Sequence, residues 1–452
     1  MSHHHKALKG VVVALSAMLV ASGFAGCAST PSGGGSTTTS TSAGGGAATD
    51  VVNLEFWDMA WGPSGVYDTK AKALVDAFNQ ANPGIHVNYT LNTWDNWYQT
   101  FAQAVASGTA PDVSTGGGFQ PFGLQQDADA ILPLNDLVQK WQSDGTAADF
   151  KPGTLDYYKD ANGDYLGIPW GMDIRVWYAR TDLLDQAGVQ LPTTYDQLKA
   201  DCDAVHKLGA DTYGIADGGT PHWTFMQGIA YGAGMLDANG NPQLTTNPTE
   251  MSALQYIASM GQGGSGCINP SATTISQDDA ISLFDQGKAA FVMDSPSFAT
   301  HVSADTLKVT KVVPVMSDNA GNKNGLYFIN GIMAYKQTKH PAEAEKFIEY
   351  WSSVGDQLIL SGASAVSPRT SLDNKVQASA DPLYKEAAAT WGPPTAKPLY
   401  TQAATGSGVM NTVDGDPTMT DLERALFAGT PSVADAAATA QAKLQGFIDA
   451  SK

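Results

Sequence analysis

The chain has 452 residues, more than one hydrophobic core ordinarily supports, so two lobes are the default expectation. Its formal net charge is −19, which argues against nucleic acid as a partner and against direct attraction to anionic lipid headgroups.

Residues 1–26 open with Lys6 and Lys9, continue in an apolar run from Val11 to Val20, and close on small residues before Cys27. That is the layout of a secretory signal peptide. The run is about half of the roughly 20 residues a membrane-spanning helix requires, so a permanent anchor of that kind is rejected. Phe24-Ala25-Gly26-Cys27 resembles a bacterial lipobox, with Phe24 where Leu is usual. The resemblance implies lipidation of Cys27 as the first mature residue; cleavage by an ordinary signal peptidase is the alternative. Residues 27–49 are then a Ser/Thr/Gly-rich tether, too poor in apolar surface to offset the entropy of ordering, with a span of about 25 Å.

From Val51 the pattern becomes that of a folded body. Val51 to Trp57 alternates as a strand, and Ala71, Leu74, Val75 and Phe78 follow at helical spacing before the stop Asn82-Pro83-Gly84. Ile85 to Tyr89 predicts a second strand, and Trp94 to Ser107 a second helix ahead of Pro111-Asp112-Val113. A β-α-β order implies α/β architecture with a largely parallel sheet. Asn162-Gly163 predicts a hairpin turn; its acidic surroundings lack the glycine and closing Glu of a calcium loop, so no metal is expected there. Downstream, Thr194 to Gln197 reads as a capping box, Ser276 precedes a helix ended by Gly287, Ala289 to Met293 is a strand, and Pro341 opens a helix through Trp351. Cys202 and Cys267 form either a disulfide or two buried thiols; a lone pair in an exported body favours the bridge.

Motifs of catalysis are missing: there is no G-x-S-x-G, H-E-x-x-H or C-x-x-C, and Gly287-Lys288 has no phosphate-loop context. Neither a cofactor nor an enzymatic activity is expected. A secreted glycoside hydrolase remains the rival from another class, since acidic residues are plentiful and its acid pair need not be adjacent in sequence.

Five segments resemble the family of extracellular solute-binding proteins that feed carbohydrates to ATP-binding-cassette importers, to which maltose-binding protein belongs. They are Leu54-Glu55-Phe56-Trp57, Phe78 through Ile85, Ala106 through Val113, Gly167-Ile168-Pro169-Trp170 through Tyr178, and Phe284 through Phe291. The resemblance covers the body from Val51. It implies a two-lobed periplasmic-binding-protein-like fold, with lobes at 50–170 plus 326–362 and 171–325 plus 363–452, joined by crossings near 170–175, 326–331 and 360–368. Carbohydrate, in particular an oligosaccharide, is the expected ligand, the permease the expected partner, and the protein a monomer; a polyamine or peptide is the alternative solute.

A sugar ring offers an apolar C–H face and a rim of hydroxyls, so its site needs flat aromatics beside polar side chains. The ten tryptophans supply the first need. Ligand contacts are implied at Trp57, Asp58 and Trp61 after the first strand, at Trp170, Asp173 and Arg175 near the first crossing, and at Trp223. Asn330 stands at the second crossing and Arg369 near the third, and Trp391 lies where the family often has its third aromatic platform. Phe119, after Gly116-Gly117-Gly118 at a strand end, could stack on ligand, and Phe298 stands in for the tryptophan of the usual Gly-Pro-Trp.

Overall fold

The computed structural model describes residues 51–450 except 95, 233, 238, 394–395 and 399–408. The leader, the tether and Cys27 lie outside the described residues.

Strands are, in chain order, β1 (Val52–Met59), β2 (Ile85–Asn92), β3 (Val113–Gly116), β4 (Ile131–Leu132), β5 (Ile168–Ile174), β6 (Val176–Arg180), β7 (Tyr213–Ala216), β8 (Ala289–Asp294), β9 (Thr310–Val312), β10 (Gly325–Tyr335) and β11 (Ala396–Pro398). They build two sheets, one per lobe. The first runs β11-β10-β3-β1-β2, with β4 and β5 also paired to β10; the second runs β7-β8-β6-β9. β1 is parallel to β2 and β3, as the β-α-β order requires, whereas β10 runs antiparallel to β3, β4 and β5.

Alternation along β1 places Leu54 and Phe56 in the core, and Phe56 meets Phe347 and Trp351 of helix Pro341–Ser353 edge-on at 4.8 Å each. Trp57 points to the opposite face and packs on Phe101 of helix Trp97–Ser107, so helices cover both faces of this sheet. Helix Tyr67–Ala81 buries Ala71, Leu74, Val75 and Phe78, the stripe read from its spacing, and Tyr67 besides. The second helix begins at Trp97 and leaves Trp94 outside it.

In the second lobe, Thr194 accepts from the Gln197 amide, but Gln197 Oε1 reaches back to the Thr193 amide and not to that of Thr194, so the capping box is reciprocal only at Ser276–Asp279. Cys202, in helix Tyr195–His206, is joined to Cys267 by a disulfide with Cα atoms 5.6 Å apart. Gly214 of β7 passes so close to this bridge that a Cβ there would stand 2.3 Å from Cys202 Sγ, which is why the strand carries glycine at that point.

Segments that run between the two sheets pair with one another. β5 belongs to the first sheet and β6 to the second, leaving Arg175 alone at the junction. The first half of β10 pairs with β5, from Tyr327 opposite Ile174 to Asn330 opposite Gly171. Met172 and Val366 exchange both backbone hydrogen bonds at 2.8 Å, so the segment around Val366 lies beside β5, as β10 does. Pairing with β10 keeps β5 in the first sheet up to Ile174, past the boundary read at residue 170, and β11 from the C-terminal segment joins the same sheet.

Candidate functional site

Parallel strands end in loops on one edge of a sheet, and ligands collect at that edge. Here the loops after β1 and β2 face those after β7 and β8 across a cleft of about 660 Å³. The first lobe contributes Trp61, Gly62, Pro63, Ser64 and Trp94; the second contributes Thr220, His222, Gln277, Asp278, Asp294 and His301; Arg175 stands between them.

The first-lobe wall is aromatic. Trp61 meets Trp94 edge-on at 4.8 Å and Trp170 at 5.0 Å. The Trp61 indole N–H donates to Thr115 Oγ1 at 3.0 Å, and that of Trp94 to the Ala60 carbonyl at 2.9 Å. Both polar edges are therefore tied back into the lobe, and Trp94 remains 40 % exposed at the cleft.

The facing wall is polar and charged. Arg175 pairs with Asp173 at 2.6 Å, while Asp173 Oδ1 and Arg175 Nε carry no protein hydrogen bond despite being buried. Burial pushes the Asp173 carboxyl up to about 6, against the pull of Arg175 and with a further push from the charge of Asp294. Burial, and then the neighbouring Arg175 cation, hold the His222 imidazole well below its ordinary range, so this ring is neutral at pH 7. His301 behaves oppositely: burial disfavours its cation, but the Asp294 charge and the 2.5 Å hydrogen bond that this carboxylate accepts from the ring outweigh it and raise its proton affinity. Beneath these groups, Arg175, Asp217, Thr220, His222, Gln277 and Met293 enclose about 10 Å³, the room of one hydroxyl or water. Among the described residues no group of three or more His, Cys, Asp or Glu could hold a metal ion.

Of the residues singled out from sequence, Trp61 and Arg175 line the cleft, and Trp170 and Asp173 stand directly behind them. The others lie elsewhere. Asp58 is fully buried beneath Trp61, where it accepts from Thr115 (2.5 Å), Tyr67 (2.9 Å), Tyr89 (3.3 Å) and the Met59 amide (3.0 Å). Trp57 packs on Phe101, and Phe119 is buried at the start of helix Gln120–Ala128. Trp223 meets Trp177 in the second core at 5.4 Å, and Phe298 stacks on Tyr178 at 4.2 Å. Asn330 is buried in β10 at the shift of register. Arg369 pairs with Asp149 at 2.9 Å and lies over the Phe150 ring. Trp391 is wholly buried, its indole N–H donating to the Val313 carbonyl at 2.8 Å.

Sequence reasoning passed over Trp94, Thr220, His222, Gln277, Asp278, Asp294 and His301. Trp94 follows β2 much as Trp61 follows β1, a signal available from the strand pattern. His222 against Trp223 is a question of helical phase: successive residues turn by about 100°, so a His222 facing the cleft sends Trp223 into the core.

The family model for bacterial extracellular solute-binding proteins matches residues 62–358. A Brucella abortus chain described as a binding protein is 25 % identical over 285 residues, which is 61 % of this chain and 66 % of that relative's length. A Streptomyces antibioticus lipoprotein of uncharacterized activity is 29 % identical over 147 residues, 31 % of this chain and 30 % of its own. Among solved structures, a sugar transporter from Arthrobacter chlorophenolicus A6 with bound laminaribiose is 26 % identical with a TM-score of 0.79, covering 87 % of this chain and 99 % of that one.

Proposed function

Because the chain belongs to the bacterial extracellular solute-binding protein family, we propose that it captures a carbohydrate between its lobes and delivers it to the permease of an ATP-binding-cassette importer. The observation that carries this reading is the pairing of walls across the cleft: the indoles of Trp61 and Trp94 on one side, and Arg175, His222, Gln277 and Asp294 on the other. Aromatic surface suits the C–H face of a pyranose, and hydrogen-bonding side chains on the facing wall suit its hydroxyls. A volume of about 660 Å³ accommodates more than one sugar ring, in keeping with an oligosaccharide. The laminaribiose bound by the Arthrobacter relative supports the same ligand class. The protein acts as a monomer that releases its ligand chemically unchanged.

Export with the leader and lipidation of Cys27 hold the body outside the cytoplasm on a tether of residues 27–49. The Streptomyces lipoprotein relative supports this arrangement.

A thermal-shift screen of the mature body against mono- and oligosaccharides, peptides and polyamines, with product analysis on each hit, tests the proposal. Ligand at 100 times its Kd adds about 2.7 kcal/mol to stability. A sugar that raises Tm and is recovered intact supports capture. Cleavage of the sugar, or shifts with peptides or polyamines alone, overturns it.

A further inference from the structure

Thr220 and His222 reach the cleft on a short stretch, residues 217–224, that leads out of β7 into helix His222–Ala230. Asp217 closes this loop by accepting from the amides of Gly219 at 2.7 Å and Thr220 at 3.3 Å. The loop has no slack. A Cβ on Gly218 would stand 2.3 Å from the Ser276 backbone, and one on Gly219, at φ +64°, would stand 2.7 Å from the Arg424 side chain.

Glu423, next to Arg424 on helix Thr418–Ala428, grips the other end of the stretch. Its side chain is wholly buried, which pushes the carboxyl well above the usual range, with a further push from Asp217; one carboxyl oxygen accepts both the backbone N–H of Thr224 at 3.0 Å and its hydroxyl at 2.6 Å. The first turn of a helix has amides without intrahelical partners, and an acceptor oxygen satisfies one of them. The group that does so for helix His222–Ala230 comes from a distant part of the chain. None of the residues of helix Thr418–Ala428 lines the cleft described above.

We propose that Glu423 is a positioning residue for the ligand cleft: by holding Thr224 it fixes the first turn of helix His222–Ala230, and with it the places of Thr220 and His222. Glu423 thus sets affinity from a helix that never touches ligand. The effect on affinity rests on the carbohydrate reading above; the effect on His222 does not.

The test compares Glu423→Ala, Thr224→Val and Thr224→Ser in the mature body. Calorimetric titration with laminaribiose and with maltose gives affinity, and NMR of histidine-labelled protein without ligand gives the His222 ring signals, assigned through His222→Gln. Glu423→Ala and Thr224→Val are expected to weaken sugar binding by about tenfold and to move the His222 signals. Thr224→Ser, which retains both donors, restores both readouts. Should Glu423→Ala fail to fold, Thr224→Val decides, because it removes only the hydroxyl donor and keeps the shape. Unchanged affinity with unmoved His222 signals in Thr224→Val overturns the proposal. If the unmodified protein binds neither sugar, it is the choice of ligand that has failed, and the His222 signals alone decide: moved in Thr224→Val they support positioning, unmoved they refute it.

Discussion

Replacing Trp94 with alanine separates binding from folding better than any other aromatic substitution at the cleft. The side chain is 40 % exposed, packs edge-on against Trp61 and Trp97, and donates one hydrogen bond to the Ala60 carbonyl. A fully buried Trp→Ala change costs about 3–5 kcal/mol, much of it from the cavity left behind. At Trp94 the space opens to solvent and water takes over the Ala60 carbonyl, so a folding cost of about 1–2 kcal/mol is expected. Loss of one sugar-facing aromatic surface is expected to cost a further 1–2 kcal/mol or so of binding, roughly five- to thirtyfold in Kd. Calorimetric titration of the best sugar from the screen, with Tm measured on the same samples, reads both effects. Trp391→Phe is the counterpart: it removes a buried indole whose N–H is held by Val313, so Tm should fall while Kd stays unchanged. A Trp94→Ala protein with lowered Tm and unaltered affinity for every sugar that binds the parent would refute the assignment of this wall to ligand.

Other outcomes follow from the buried charges and the covalent links. Burial raises the carboxyls of both Asp58 and Asp173 to about 6, so each binds its proton more tightly folded than unfolded. Stability therefore falls as pH rises from about 4 through about 6 and levels off above, by ~3 kcal/mol for a carboxyl such as Asp58. His301, raised by Asp294, acts in the same direction, holding its contribution below about 6.5 and losing it as pH rises through its folded value; His222, depressed, opposes it below about 6.5. Differential scanning fluorimetry should give a higher Tm near pH 5.5 than near pH 8, with a shallower slope in Asp58→Asn; a Tm that climbs towards pH 8 contradicts this account. Reducing the Cys202–Cys267 bond, which spans 65 residues, should cost up to ~4 kcal/mol of stability and leave sugar affinity unaltered, since both sulfurs are buried away from the cleft. Cys27→Ala should abolish palmitate labelling and release the protein from the membrane fraction; continued labelling and membrane retention would disprove the anchor.

Much of the architecture was legible because its signals are local. The stripe Ala71, Leu74, Val75 and Phe78, the stop at Asn82-Pro83-Gly84 and the cap at Ser276 act over a few residues, where helical geometry alone dictates which side chains turn inward. How far β5 runs, by contrast, depended on its partner β10.

The cleft was less legible. Trp223 and His222 are neighbours in sequence with similar claims to a ligand, and only the packing of Trp223 against Trp177 sets the phase that sends one inward and leaves the other at the cleft. Asp58 stands near the end of β1, a place where a ligand carboxylate could sit, yet Tyr67, Tyr89 and Thr115 close over it from three separate segments. His301 owes its raised proton affinity to Asp294, and Glu423 reaches Thr224 across 199 positions of chain. By itself the sequence determined that these helices and strands form, which faces they bury, and the family to which the chain belongs, because each is written in the spacing of nearby side chains. Which tryptophan lines the cleft, which carboxylate is buried and which histidine stays neutral were decided only by tertiary structure, because burial and pairing depend on groups brought together from distant parts of the chain.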